Sequence, residues 1–70
     1  MTQAQLKAAG EINFASDDNM MTVSYGQIST WDYPYKIMFN GEVSSYRSFF
    51  SLTTKMHKLI ENYGLVKVEA

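Results

Sequence analysis

The only histidine of the chain, His57, stands four residues before Glu61 in a segment with helical periodicity. Residues four apart share a helix face, so an imidazole and a carboxylate could reach one metal ion together. Two ligands are too few for a metal centre, and Lys55 and Lys58 on the same polar face indicate a solvated histidine. The chain also lacks a Gly-x-Ser-x-Gly turn, which would be needed to present a nucleophilic serine. We therefore predict no metal site and no nucleophilic triad.

A run of oxygen donors, Asp17-Asp18-Asn19, is too short for a calcium loop, which needs alternate donors, a central glycine and a later glutamate. These residues are typical turn formers. The chain has no cysteine, and its four glycines are isolated rather than gathered in a phosphate-binding loop. The sequence predicts no catalytic residue and no cofactor, and hence a protein that is not an enzyme.

Single-stranded nucleic acid would need stacking rings and cations, and the chain groups both types: Trp31, Tyr33, Tyr35, Tyr46, Lys36 and Arg47. Such platforms occur on the sheets of RNA- and DNA-binding domains. In the hairpin described below, however, Tyr35 and Tyr46 fall on the face opposite Lys36 and Arg47. The net charge of −1 also gives no general attraction to phosphate. Nucleic-acid binding is the alternative function.

Protein binding is the function that the residue types favour. Tyr, Trp, Met and Arg are enriched at protein interfaces, and a chain of 70 residues has little interior for ten aromatics and five methionines. The candidate contact residues are Trp31, Tyr33, Lys36, Met38, Val43 and Arg47. Trp31 lies in an irregular segment, residues 27–34, and two roles remain open for it, a contact residue or a lid over the end of the sheet.

The element that positions most of these side chains is a β-hairpin over residues 35–47. Asn40-Gly41 between two strand-like runs predicts a two-residue type I′ turn, which requires positive φ at both positions. With that turn, Met38 lies opposite Val43 and Lys36 opposite Ser45, on a mixed face that also carries Arg47. The other face carries the better core residues: Tyr35, Ile37, Phe39 and Tyr46.

A helix follows the hairpin, with Ser48 or Ser51 as its cap and Gly64 after its end. Its apolar stripe has the spacing of a single buried face: Leu52, Met56, Leu59, Ile60 and Tyr63. A last strand is predicted at residues 65–69. Before the hairpin, residues 11–15 and 20–25 form two more strands around a four-residue loop at 16–19. Residues 3–9 form either a short helix capped by Thr2 or a frayed terminus.

The order (α)ββββαβ predicts one α+β domain over residues 1–70, a two-layer fold with a mainly antiparallel sheet of four to five strands and one principal helix on one face. No run approaches the roughly 20 apolar residues of a membrane span, so we expect a cytoplasmic protein. The small, cysteine-free and near-neutral profile is similar to that of phage-encoded or mobile-element proteins that bind host machinery. We therefore expect a protein-binding module, most concretely an inhibitor or accessory protein acting on a host macromolecular complex, with a homodimer as a further option.

Overall fold

The computed structural model describes residues 1–26 and 33–68, and these form an antiparallel sheet with two helices. The elements are α1 (Gln3–Ala9), β1 (Glu11–Ser16), β2 (Asn19–Tyr25), β3 (Tyr35–Phe39), β4 (Glu42–Tyr46), α2 (Phe49–Tyr63) and β5 (Val66–Lys67). The α+β class and the order of elements are confirmed. Most of the predicted irregular segment, residues 27–32 with Trp31, lies outside the described residues.

The sheet has the strand order β4-β3-β2-β1-β5, and each neighbouring pair is antiparallel. The first four strands form a meander in which each strand pairs with the next. After β4, at one edge, the chain continues through α2 and reaches the opposite edge, where β5 pairs with β1. The two helices divide one face of the sheet, because α1 packs on β1 and β2 whereas α2 packs on β3 and β4.

The hairpin of β3 and β4 has the predicted turn and register. Asn40 and Gly41 have φ angles of 50° and 90°, and Met38 pairs with Val43. The turn is also tied to β2, because the Asn40 side chain accepts a hydrogen bond from the Met20 amide at 2.9 Å. The same side chain donates to the Asn19 amide oxygen at 3.0 Å.

The hairpin of β1 and β2 is tighter than predicted. Ser16 and Asn19 pair with each other, so the turn contains Asp17 and Asp18 alone rather than the four residues 16–19. Asp17 has a φ of 35°, and Asp is among the few residue types that tolerate positive φ. The prediction of a four-residue loop is wrong because Ser16 and Asn19, whose types favour turns, form the paired ends of the two strands instead.

The N-terminal segment is a docked helix, not a frayed end. The Thr2 hydroxyl accepts from the Gln5 amide at 3.2 Å, and the Gln5 side chain accepts from the Thr2 amide at 2.8 Å, which completes a capping box. Leu6 is fully buried against the sheet. In α2, Ser48 rather than Ser51 is the cap, since its hydroxyl accepts from the Ser51 amide.

The last strand is shorter than predicted, because only Val66 and Lys67 pair with β1. Leu65 precedes it and belongs to the core. Tyr63 ends the predicted helix stripe but is 46% exposed, with its ring 4.8 Å from that of Phe39.

The core lies between the helices and the sheet and comprises Leu6, Ile12, Phe14, Met21, Val23, Tyr35, Ile37, Leu52, Met56, Leu59 and Leu65. No helix within the described ranges is long and apolar enough to cross a membrane.

Candidate binding surface

The face of the sheet turned away from both helices is called the open face here. Because successive strand residues alternate in direction, the residues between the core positions all belong to it. The strand register aligns Val43, Met38, Thr22 and Asn13 in one row across the open face. A neighbouring row runs from Ser45 through Lys36 and Ser24 to Glu11. The remaining members come from the strand ends: Ala15, Met20, Val66 and Val68.

The open face carries large apolar side chains in contact with solvent. Met20 is 69% exposed, Val66 66%, Val43 60%, Val68 49% and Met38 47%. The solvated face of an antiparallel sheet usually has polar residues at these positions. Five exposed apolar side chains on one face of so small a sheet are therefore a feature that the fold itself does not require.

The two methionines border a shallow depression. Met20 and Met38 line it together with Asp18, Thr22, Asn40 and Gly41, and its volume is about 340 Å³. The floor is held in place by a hydrogen bond from the Thr22 hydroxyl to the Asn13 side chain at 2.7 Å. Methionine is flexible and polarisable, so its side chain adapts to the surface it meets. The depression is thus a recess with a mainly apolar surface, an adaptable methionine rim and one carboxylate, that of Asp18, at its border.

Two positively charged side chains, those of Arg47 and Lys36, lie at the end of the open face near the start of β3. The guanidinium of Arg47 lies 4.8 Å from the centre of the Tyr33 ring, close enough for a cation–π contact. Lys36 is half-buried and lies between Ser24 and Ser45 in its row. Arginine stacked on tyrosine gives a flat, partly apolar surface that still bears a positive charge.

Five of the six candidate contact residues lie within the described residues. Lys36, Met38 and Val43 share the open face as the hairpin register predicted, and Tyr33 and Arg47 contact each other at its border. Trp31 lies outside the described residues, so its role as contact or lid stays a prediction.

Three apolar residues of the open face, Met20, Val66 and Val68, are absent from the contact residues predicted from the sequence. The alternation within β2 places Met20 opposite the apolar face of Met21 and Val23, which is a signal for exposure. In residues 65–69 the pattern favours the opposite of what the structure shows, because Val66 and Val68 share the more apolar side and Lys67 lies on the other. Joining these residues to Met38 and Val43 also requires the sheet order.

The residues considered for metal or acid–base chemistry are dispersed. His57 and Glu61 are exposed on α2, and Asp17 and Asp18 form a turn. Across residues 1–26 and 33–68, no three histidine, cysteine or acidic side chains come together as they would around a metal ion. The hydroxyl of the buried Tyr35 accepts a hydrogen bond from the Gln3 side chain at 2.6 Å.

Comparison of the chain with protein-family models, with curated proteins and with solved structures gives no match.

Proposed function

We propose that this chain is a non-catalytic protein-binding module that docks a partner protein on the open face of its sheet. The observation that carries the proposal is the set of exposed apolar side chains on that face, Met20, Met38, Val43, Val66 and Val68. Contiguous exposed apolar surface on a small protein is typical of an interaction site. Burial of these side chains by a partner would supply the main attraction.

The border of the open face supports the same function. Met, Tyr and Arg are enriched at interfaces, and the pair of Tyr33 and Arg47 combines two of these types in one stacked unit. With a net charge of −1, the chain has little long-range electrostatic attraction to offer a partner. Recognition would therefore depend on shape and on apolar contact, with Arg47 and Lys36 orienting the partner.

The concrete form of the proposal is a small inhibitor or accessory protein, of the phage or mobile-element type, acting on a host macromolecular complex. Its support is the size and composition of the chain together with a sheet surface that is already formed without a partner. A preformed surface loses little conformational entropy on binding, which lets a small domain bind with useful affinity.

The alternative, a platform for single-stranded nucleic acid, receives less support from the same geometry. Tyr35 is 5% exposed and its ring packs 6.0 Å from that of Phe49, on the helix side of the sheet. Tyr46 pairs with Tyr35 and shares that side. Neither ring is therefore on the same face as Lys36, and stacking on these rings would be separated from the cations.

Site-specific photocrosslinking tests the proposal in the intact chain. A photoreactive phenylalanine analogue at Met38 should give a discrete protein adduct in host cells, and the adduct identifies the partner. The same analogue at Phe50, which is 79% exposed on α2, is the matched control and should not give that adduct. Equal adducts from both positions, or adducts with nucleic acid from Met38, would contradict the proposal.

Affinity for the purified partner then gives the quantitative test. Met38→Glu places a charge at the rim of the apolar recess, and we expect affinity to fall at least about tenfold, equivalent to about 1.4 kcal/mol. Phe50→Glu likewise replaces an exposed apolar side chain by a carboxylate, on the other side of the molecule, and should leave the dissociation constant within about twofold. Both variants should keep the wild-type melting temperature, because neither position is buried.

A further inference from the structure

The opposite side of the molecule has a groove between β4 and α2. It is lined by Phe39, Ser44 and Tyr46 of the hairpin and by Lys55, Leu59 and Tyr63 of the helix, and its volume is about 270 Å³. The groove exists because α2 does not cover β4 completely, so that Glu42 and Ser44 remain exposed although they belong to the helix side of the sheet. Its floor is apolar and aromatic, whereas its rim is polar.

The strand that borders this groove is an edge strand with an available backbone. Among the described residues, β4 pairs on one side alone, with β3. The amide of Asn40 donates to the carbonyl of Met20, and the carbonyl of Pro34 accepts from the amide of Gly26. The backbone groups of the even-numbered residues in and beside β3 therefore point towards β2. Ladder bonds alternate sides along a strand, so Ile37 and Phe39 bond towards β4. The backbone groups of Val43 and Ser45 consequently point outward.

Within the described residues, β4 lacks several features that normally block strand pairing, although Glu42 places one charge on its helix side. The sequence of β4 is Glu-Val-Ser-Ser-Tyr, without proline or lysine, and its one-to-one register with β3 has no bulge. A strand edge of this kind beside a helix-walled groove is suited to strand addition, in which main-chain hydrogen bonds give affinity and alternate side chains enter the groove.

The charges along the groove differ at its two ends. Phe49 packs near Tyr35 and Tyr63 near Phe39, so α2 runs antiparallel to β4. Counted from Phe49, Lys55 lies roughly 9 Å along α2 and is therefore nearer the Tyr46 end of the groove than the other end. Glu42 lies at that other end, with Tyr63. An antiparallel incoming strand would thus meet a cation first, then the apolar floor near Leu59, and then an anion.

We propose that the groove binds an extended peptide segment of another protein, added antiparallel to β4, whose groove-facing residues are acidic, apolar and basic in that order. The acidic side chain lies opposite Tyr46 and pairs with Lys55. The apolar side chain lies opposite Ser44, on Phe39 and Leu59, and the basic side chain pairs with Glu42. The groove lies on the helix side and the open face on the other, but the two sites share β4, since Val43 contributes its side chain to the open face and its backbone to the added strand.

A six-residue probe, acetyl-Thr-Glu-Thr-Leu-Thr-Lys-amide, has this pattern. Its threonines stand at the alternate positions, whose backbone groups would bond to the outward-pointing backbone groups of β4. Titration followed by amide NMR should give saturable shifts at Val43, Ser45 and Arg47, with a dissociation constant in the millimolar range or tighter. The control has the same composition with Glu and Lys exchanged, and it should bind at least about fivefold more weakly. N-methylation of the central threonine removes a main-chain hydrogen bond and should abolish binding.

Two variants locate the contacts on this chain. Lys55→Glu should reverse the preference, so that the exchanged peptide binds more tightly than the original. Ser45→Pro removes an outward amide and leaves the bonds to β3 intact, so it should abolish binding with an unchanged melting temperature, whereas Ser45→Ala should bind as wild type. The N-methyl peptide tests the same bond without altering the protein, should Ser45→Pro fail to fold.

The proposal is overturned by any of three results. The first is a titration without saturable shifts at Val43 and Ser45. The second is equal binding of the original, exchanged and N-methylated peptides. The third is a concentration-dependent dimer in sedimentation experiments in which the Val43 and Ser45 amides are already protected from exchange, because a second copy would then occupy the edge.

Discussion

Gly41 has a φ of 90°, in the region that residues with a side chain adopt only at a cost. A Cβ atom added there would meet no atom within 4 Å, so any destabilisation comes from backbone strain rather than from a clash. The stability of the β3–β4 turn, and with it the position of Met38 and Val43, therefore depends in part on the local conformational preference of Gly41, beside that of Asn40, which also has a positive φ.

Gly41→Ala should lower the free energy of unfolding by about 1–2 kcal/mol, which chemical denaturation measures directly. Gly26→Ala is the matched control, because Gly26 has no positive φ and also has open space around its Cβ. Its effect should stay within about 0.5 kcal/mol. Equal midpoints for Gly41→Ala and wild type would show that the turn does not hold the left-handed conformation.

Signals at the scale of single residues explain why the β3–β4 hairpin was predictable from the sequence. Asn40-Gly41 specifies both the turn and the count of residues in it, and the pairing of Met38 with Val43 follows from that count. The Asp17-Asp18 turn was not predictable to the same degree, because Ser16 and Asn19 suit a loop as well as a strand end. Their pairing depends on the neighbouring strands, and a local sequence pattern gives no information about which strands those are.

At the scale of elements, α1 shows the limit of local information. Its capping box between Thr2 and Gln5 is readable in the sequence, but a helix of seven residues is not stable by itself. What holds it is Leu6, which has no exposed surface and packs against β1 and β2. The sequence left a docked helix and a frayed end as alternatives, since the docking depends on a groove formed by distant residues.

Leu6→Ala should destabilise the domain by roughly 2–5 kcal/mol, because it leaves a cavity under α1. Thermal and chemical unfolding measure this loss. Lys7→Ala on the same helix is the control; Lys7 lies 5.2 Å from the Tyr25 ring and its removal should cost about 0.5–1 kcal/mol at most. Similar small effects from both variants would mean that α1 is undocked in solution.

At the scale of the whole molecule, the sheet order joins features that the separate strands do not reveal. Met38 and Val43 were predicted together because one hairpin contains both. Met20 reaches them only through the pairing of β2 with β3, and Val66 joins through the pairing of β5 with β1. These pairings join residues far apart in sequence, so hydrophobic alternation could predict the faces of β1 to β4 but neither the face of β5 nor the extent of the open face.

The same strand order predicts an uneven distribution of local stability. β2 is bonded on both sides and contains the buried Met21 and Val23, whereas β5 pairs two residues with β1 and exposes Val66. Elements with few buried contacts open locally, at a free energy below that of global unfolding. The amide of Val68, bonded to the Asn13 carbonyl at 2.8 Å, should therefore exchange through local opening of β5.

Hydrogen exchange followed by NMR at increasing denaturant tests this distribution. The Val23 amide should exchange only through global unfolding, with the full dependence on denaturant. The Val68 amide should exchange at least roughly tenfold faster, with almost no such dependence, because its opening exposes little surface. If both amides exchanged with the same free energy of opening and the same dependence of that free energy on denaturant, β5 would belong to the cooperative core. The open face would then be a single rigid surface from Val43 to Val66, rather than a rigid four-strand part with a yielding edge.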